Sequence, residues 1–353
     1  MKAWTPLFSF AIRLAGALAA AAIAASCATK QPTVQAPRIA PSPTIAPSAG
    51  ARLSSYSPYA ITAGTDGNVW YTEYQGDGVG RITPYGAVQR FKIDKDGFAE
   101  RIIAGPDSAM WFTDTPGNQI GRVSTDTKIA YVKLPQSHSG PAGIAIGPDG
   151  NIWFTEHSGD RIGRLTMQGQ LSEYRLRKGA GPGEIVAGSD DALWFTEDRV
   201  NCIGRISTTG RVTEFQIGTP DARPGSMTRG PDGKVWFTEL RVEKVGKITS
   251  WGAVTEYNLP EPGVPLGIAA GADGNLWVTV VKAHTIYCVT PDGKFTAFPT
   301  SETTLASFIT AGTDGNLWFT EPNGKVGKMT PTGEITEYVV ADPYKHAVEA
   351  EKR

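Results

Sequence analysis

Six carboxylates recur at one register of this chain: Glu73, Asp114, Glu156, Glu197, Glu239 and Glu321. Acids brought together in a ring could hold a divalent cation or serve as general acids and bases. Their surroundings point elsewhere. In each copy a cation follows seven or eight residues later, as Arg81, Arg122, Arg164, Arg205, Lys247 or Lys328. The sixth of seven copies of the pattern carries Val280 at the acid position and Cys288 at the cation position. Acid and cation vanish together, which predicts structural ion pairs across adjacent antiparallel strands, where losing one partner alone would strand a charge.

Histidine adds a second kind of chemistry, because its charge changes near neutral pH. His157 directly follows Glu156, and Asp198 holds the same register one copy later, so His157, Glu156 and Asp198 are the acid–base candidates for catalysis. His138, His284, Asp114 and Arg223 are the candidate ligand-binding residues around them. An exposed histidine without a role accounts for the same residue types.

These residues sit on a repeat. Trp70, Trp111, Trp153, Trp194, Trp236, Trp277 and Trp318 are spaced 41 or 42 residues apart, the mark of a repeat architecture. In the third copy Gly143–Ile146, Asn151–Glu156, Arg161–Thr166 and Leu171–Leu176 read as strands, separated by turn sequences such as Gly147-Pro148-Asp149-Gly150. Four antiparallel strands per copy and seven copies predict an all-β fold, a seven-bladed β-propeller over residues 55–340. The tryptophans are then core between blades. Function belongs to the face where loops after second strands meet loops before first strands. First strands begin there with Tyr59, Glu100, Ala142, Gly183, Gly225, Leu266 and Ser307; just past the acids lie Tyr74, Thr115, His157, Asp198, Leu240, Val281 and Pro322. Ring closure is expected either by packing of first and last blades or by a strand near Leu53 pairing onto the last blade. Cys202 and Cys288 fall in non-neighbouring blades, too far apart for a disulfide, and are expected to be free thiols.

Lysine and arginine total 34 against 35 acids, a net charge of −1, so neither a nucleic-acid partner nor a charged membrane surface is indicated. A small-molecule or peptide-like ligand at the axial loop face is the expected partner, bound by a monomer. Residues 1–27 read as an export signal: Lys2 and Arg13, an apolar run from Leu14 to Ala25, then Ala24-Ala25-Ser26 before Cys27. Twelve apolar residues make a helix of about 18 Å, too short to span a bilayer. The triplet ending in cysteine resembles a bacterial lipoprotein cleavage box, which implies lipidation of Cys27 and a periplasmic or outer-membrane-anchored protein. Residues 28–54, with Pro32, Pro37, Pro41, Pro43 and Pro47, read as a disordered tether, and 341–353 as a charged tail.

The repeated Gly-Pro-Asp-Gly-Asn-Ile-Trp-Phe-Thr-Glu, Ile-Gly-Arg-Leu-Thr pattern resembles the virginiamycin B lyase (streptogramin lyase) family over residues 55–340. The resemblance implies a seven-bladed propeller that opens a cyclic depsipeptide by elimination at its ester, with Mg²⁺ near the axis. It implies a histidine base in Glu-Pro-His-Gly-Ile, a metal-binding glutamate, and a substrate-binding histidine in Ala-Arg-Pro-His. Here Asp221-Ala222-Arg223-Pro224-Gly225 has glycine at the last of these. In the same register the base position is Leu266 and the metal position Val281; counted from the C-terminus, the stretch is Leu305-Ala306-Ser307. Fold and site location carry over, and no catalytic residue does. Three functions are consistent with this sequence: a carbon–oxygen lyase-like enzyme with a different constellation, a non-catalytic binding propeller at the cell envelope, and a metal-dependent lactonase or esterase.

Overall fold

The structure is a computed structural model that describes residues 44–45, 57–74, 76–93 and 97–341. Seven antiparallel sheets succeed one another along the chain, each with its four strands in sequence order, as the repeat predicts. Blade 3 is typical: Pro141–Ile146, Ile152–Glu156, Arg161–Leu165 and Leu171–Arg175. Its second strand is buried throughout, because both faces of an inner strand pack on neighbouring blades. Between blades 3 and 4, for example, Trp153 and Ile162 pack against Ile185, Leu193, Phe195 and Ile206.

The repeated motif is a set of local fastenings. The aspartate of each turn between first and second strands accepts a hydrogen bond from the indole of its blade's tryptophan, as Asp149 does from Trp153 Nε1 at 3.0 Å. Gly150 follows in the left-handed region at φ 71°, where a side chain would be strained. The glycine of the third strand makes room for the ring of the second: a Cβ on Gly163 would lie 2.1 Å from Phe154 Cζ. Blade 6 exchanges the sizes, with Val278 opposite Tyr287.

In blades 2, 3, 6 and 7 the threonine of the second strand joins two blades. Thr155 Oγ1 accepts from Gly143 N–H at 2.8 Å in its own blade and donates to Gly183 O at 2.6 Å in the next. Thr113 does the same toward Ala142 O, and Thr320 toward Tyr59 O at 2.6 Å. The seventh blade is therefore tied to the first by the bond that ties blades elsewhere. Thr44–Ile45 adds a short outer strand parallel to Ile335–Val339, so an N-terminal strand does pair onto the last blade, upstream of Leu53. The export signal, Cys27, most of the tether and the tail beyond Ala341 lie outside the described residues.

The expected ion pairs are not formed as the sequence suggested. Glu156 opposes Arg161, and each further step along the third strand moves one step back along the second, so Arg164 opposes Trp153 at the far end of the blade. Arg164 pairs instead with the turn aspartate, Nε to Asp149 Oδ2 at 2.7 Å, and lies over the Trp153 ring at 5.7 Å. Arg205 does likewise with Asp190 and Trp194. The acids at the ends of second strands, all fully buried, meet the first residue of the third strand and the central residue of the fourth. Glu239 stands with Lys244 and Glu256, Glu321 with Lys325 and Glu337, and Glu73 with Arg90, whose Nη2 is 2.7 Å away. Blade 6 has Val280, Thr285 and Ala297 at these three positions. The coupled loss is real, with different partners.

Candidate functional site

Where second strands end, every first strand except that of blade 7 opens with a register shift, as between Pro141 and Ile144. Such bulges re-aim a side chain. Two of them aim charge at the axis. Arg101 of blade 2 reaches Glu184 of blade 4, Nε to Oε2 at 2.8 Å, with both side chains about one-tenth exposed. Its guanidinium lies 4.4 Å from the Phe308 ring centre in blade 7 and 5.4 Å from that of Tyr59 in blade 1. Side chains from four blades thus fill the middle of the ring. Burial opposes the Arg101 charge, but Glu184, Tyr59 and Glu100 together outweigh it and hold it protonated. Burial drives the Tyr59 phenol well above its ordinary range.

Glu100, beside Arg101, is buried and accepts from Thr115 Oγ1 at 2.6 Å. Burial raises its carboxyl above the ordinary range, with Arg101, Thr115 and His157 acting in the opposite direction. His157 places Nε2 at 3.3 Å from Asp198 Oδ1 and Nδ1 at 3.4 Å from Arg199 Nη2. An arginine can only donate and a carboxylate only accept, so the ring proton belongs on Nε2. Asp198 also meets Arg223, Oδ2 to Nε at 3.8 Å. Arg223 is held in a left-handed conformation, φ 54°, by its N–H to Asn201 Oδ1 at 3.1 Å and its carbonyl to Leu240 N at 3.1 Å. Burial, with Arg241 nearby, lowers its guanidinium below the ordinary range, against Asp198 and Asp221.

Of the residues singled out in the sequence, His157, Asp198 and Arg223 therefore come together. Glu156 does not join them: it is the last residue of its strand, and its carboxyl is buried toward Glu173 and Arg161, where burial raises it. Asp114 is spent on its own loop, accepting from Gly117 N at 3.0 Å, Phe98 N at 3.2 Å and Gln119 Nε2 at 2.6 Å. His138 is an exposed loop residue at φ 59°. His284 lines a small pocket with Lys282, Thr300 and Thr304 between blades 6 and 7. Sequence reasoning missed Arg101, Glu184 and Arg199. The available signal was one position further into each first strand, where Ala60, Arg101, Gly143, Glu184, Ser226, Gly267 and Phe308 include two charges of opposite sign.

The Mg²⁺ that the resemblance implies finds no matching donors. Leu266 is buried at the base position and Val281 is aliphatic at the metal position. Among the described residues no group of three or more His, Cys, Asp or Glu could hold a metal ion. Cys202 and Cys288 are free.

The virginiamycin B lyase family model matches residues 51–264 and 177–349. A solved streptogramin B lyase is 38% identical, with a TM-score of 0.74, covering 77% of this chain and 93% of that one. A catalytically inactive histidine-to-alanine variant of virginiamycin B lyase from Staphylococcus aureus, solved with quinupristin, is likewise 38% identical with a TM-score of 0.74, covering 78% and 95%. Kuenenia stuttgartiensis hydrazine synthase, at 16% identity and a TM-score of 0.64, and a gluconolactonase-like protein, at 17% and 0.50, share the fold alone. A search of curated proteins found no match. Seven blades built on one motif, and two lyase structures matched over nearly their whole length, place this chain in the virginiamycin B lyase family.

Proposed function

We propose that this chain is a binding member of its family, taking a small or peptide-like ligand at the axial loop face without the family's elimination chemistry. One observation carries the reading: Leu266 and Val281 stand where the resemblance puts base and metal ligand. Elimination needs a base to take the proton beside the carbonyl while the ester C–O bond breaks, and an aliphatic side chain offers none. The relative from Staphylococcus aureus is catalytically inactive once one histidine becomes alanine, which supports the same inference here, where none of the seven first-strand starts is histidine. The polar face that remains suits recognition. Arg223 makes no guanidinium hydrogen bond to a described residue, and Asp198 and His157 beside it offer an acceptor and a ring edge. This reading includes export, and attachment to the cell envelope through a lipidated Cys27, with the protein acting as a monomer.

A second reading rests on the His157–Asp198 contact of 3.3 Å, which could serve proton transfer in a lyase of altered constellation. In the arrangement described, Asp198 and Arg199 engage both ring nitrogens. Incubating the purified chain with quinupristin and Mg²⁺ separates the two. Elimination adds no atoms, so ring opening is read as a new chromatographic species of unchanged mass. Unaltered quinupristin is expected; ring opening lost in His157→Ala would establish the second reading instead. For the anchor, labelling cells with a palmitate analogue should tag the chain and leave Cys27→Ala untagged, and equal labelling of both would dismiss it.

A further inference from the structure

The opposite face of the ring carries a second site. In six blades a cation of the third strand lies against the blade's tryptophan. Arg81, Arg122, Arg164 and Arg205 also pair with the turn aspartate of their own blade. Lys247 and Lys328 donate instead to a proline carbonyl in the next blade's outer turn, Pro291 O at 2.7 Å and Pro84 O at 3.1 Å. Blade 6 keeps every part of this arrangement except the cation. Cys288 stands opposite Trp277, Asp273 caps the Trp277 indole at 3.2 Å, and Pro331 occupies the next blade's turn at the place of Pro291 and Pro84. A groove of about 260 Å³ opens there, lined by Asp273, Trp277, Asn316, Leu317 and Pro331.

We infer that this groove between blades 6 and 7 binds an organic cation, a guanidinium on a short alkyl stem, between the Asp273 carboxylate, the Pro331 carbonyl and the Trp277 ring. The other blades of the same molecule supply the template: four hold an arginine guanidinium between the turn aspartate and the tryptophan ring, and two hold a lysine ammonium between the ring and the next blade's proline carbonyl. Asp273 has no ion-pair partner among the described residues. Burial would raise its carboxyl, but hydrogen bonds from Asn275 and Trp277 prevail and keep it ionised. Cys288 cannot supply charge of either sign at neutral pH, because burial and Asp273 push its thiol up to about 11. Phe298 tilts 48° from the Trp277 plane, whereas the corresponding aromatics of blades 3 and 5 stack at 12° and 11°, so the ring packing beside Trp277 departs from theirs in the blade that lacks the cation. A cation over an aromatic ring and one carboxylate together support an affinity on the order of millimolar.

The test is calorimetric titration of the full chain with butylguanidinium, and with butylurea as its neutral isostere. Saturable binding of butylguanidinium alone is expected, weakened roughly tenfold by Asp273→Asn and abolished by Cys288→Arg, which should itself raise the melting temperature by filling the groove. Equal binding of butylurea, no saturable binding, or binding that survives Cys288→Arg would overturn the assignment. Free arginine amide and a blocked Ala-Arg-Ala peptide distinguish the source: equal affinities indicate a small molecule, and tighter peptide binding an arginine of a protein partner.

Discussion

At the residue scale three acids at the ends of second strands, Glu197, Glu239 and Glu321, are stores of protons. Burial and Glu256 push the Glu239 carboxyl up to about 8, with Lys244 opposing. Burial and Glu337 take Glu321 to about 8, and burial and Glu214 take Glu197 to about 7. A buried acid that cannot ionise beside a second acid keeps its proton. In the unfolded chain these groups titrate near 4.5, so at pH between there and about 8 folding takes up protons. Their stabilisation is complete below pH 4.5 and is lost as pH rises through 8. Glu239→Gln keeps a donor toward Glu256 and removes the titration. Chemical denaturation at pH 5 and 9 should show the variant close to the parent at pH 5 and more stable at pH 9, by on the order of 2 kcal/mol. A difference independent of pH would dismiss the protonated carboxyl. His157 and Asp198 were legible as neighbours because equivalent positions of adjacent blades are neighbours; Glu156 lies apart from them, its carboxyl buried toward Glu173 and Arg161.

At the scale of the element, threonines of the second strands tie blade 2 to 3, 3 to 4, 6 to 7 and 7 to 1. Thr155→Val is nearly isosteric and leaves Gly143 N–H and Gly183 O, both at the buried inner rim, without their hydroxyl partner. Equilibrium unfolding should lose about 1–3 kcal/mol, and a loss below that range would mean that the blades adjust to each other without the bond. The turn aspartates and the strand glycines were readable from the sequence, since each acts within a few residues. Pairing of the recurring cations was not, because it depends on the register that a four-residue loop imposes between second and third strands.

At the scale of the whole molecule, Arg101 and Glu184 close the centre of the ring, and Tyr59 and Phe308 from blades 1 and 7 bracket the guanidinium. Arg101→Met leaves the Glu184 charge at the axis without its cation and is expected to cost about 3–5 kcal/mol. Adding Glu184→Met should restore most of that stability, because the stranded charge is then gone. If the single variant melts like the parent, the pair does not hold the centre. The ring also gives the protein two separated chemical faces: axial loops around Asp198 and Arg223, and outer turns around Asp273.

The sequence by itself determined the class of fold, the number of blades, the strands within each and the face on which loops gather. Those features repeat, and each rests on contacts between residues close along the chain. It also located the departures from the pattern at Leu266, Val281 and Cys288. Only the tertiary structure decided which charges meet. Arg101 and Glu184 are 83 residues apart and neither belongs to the repeated motif; closing seven blades into a ring is what points both side chains at a shared axis, where a buried charge must find its opposite.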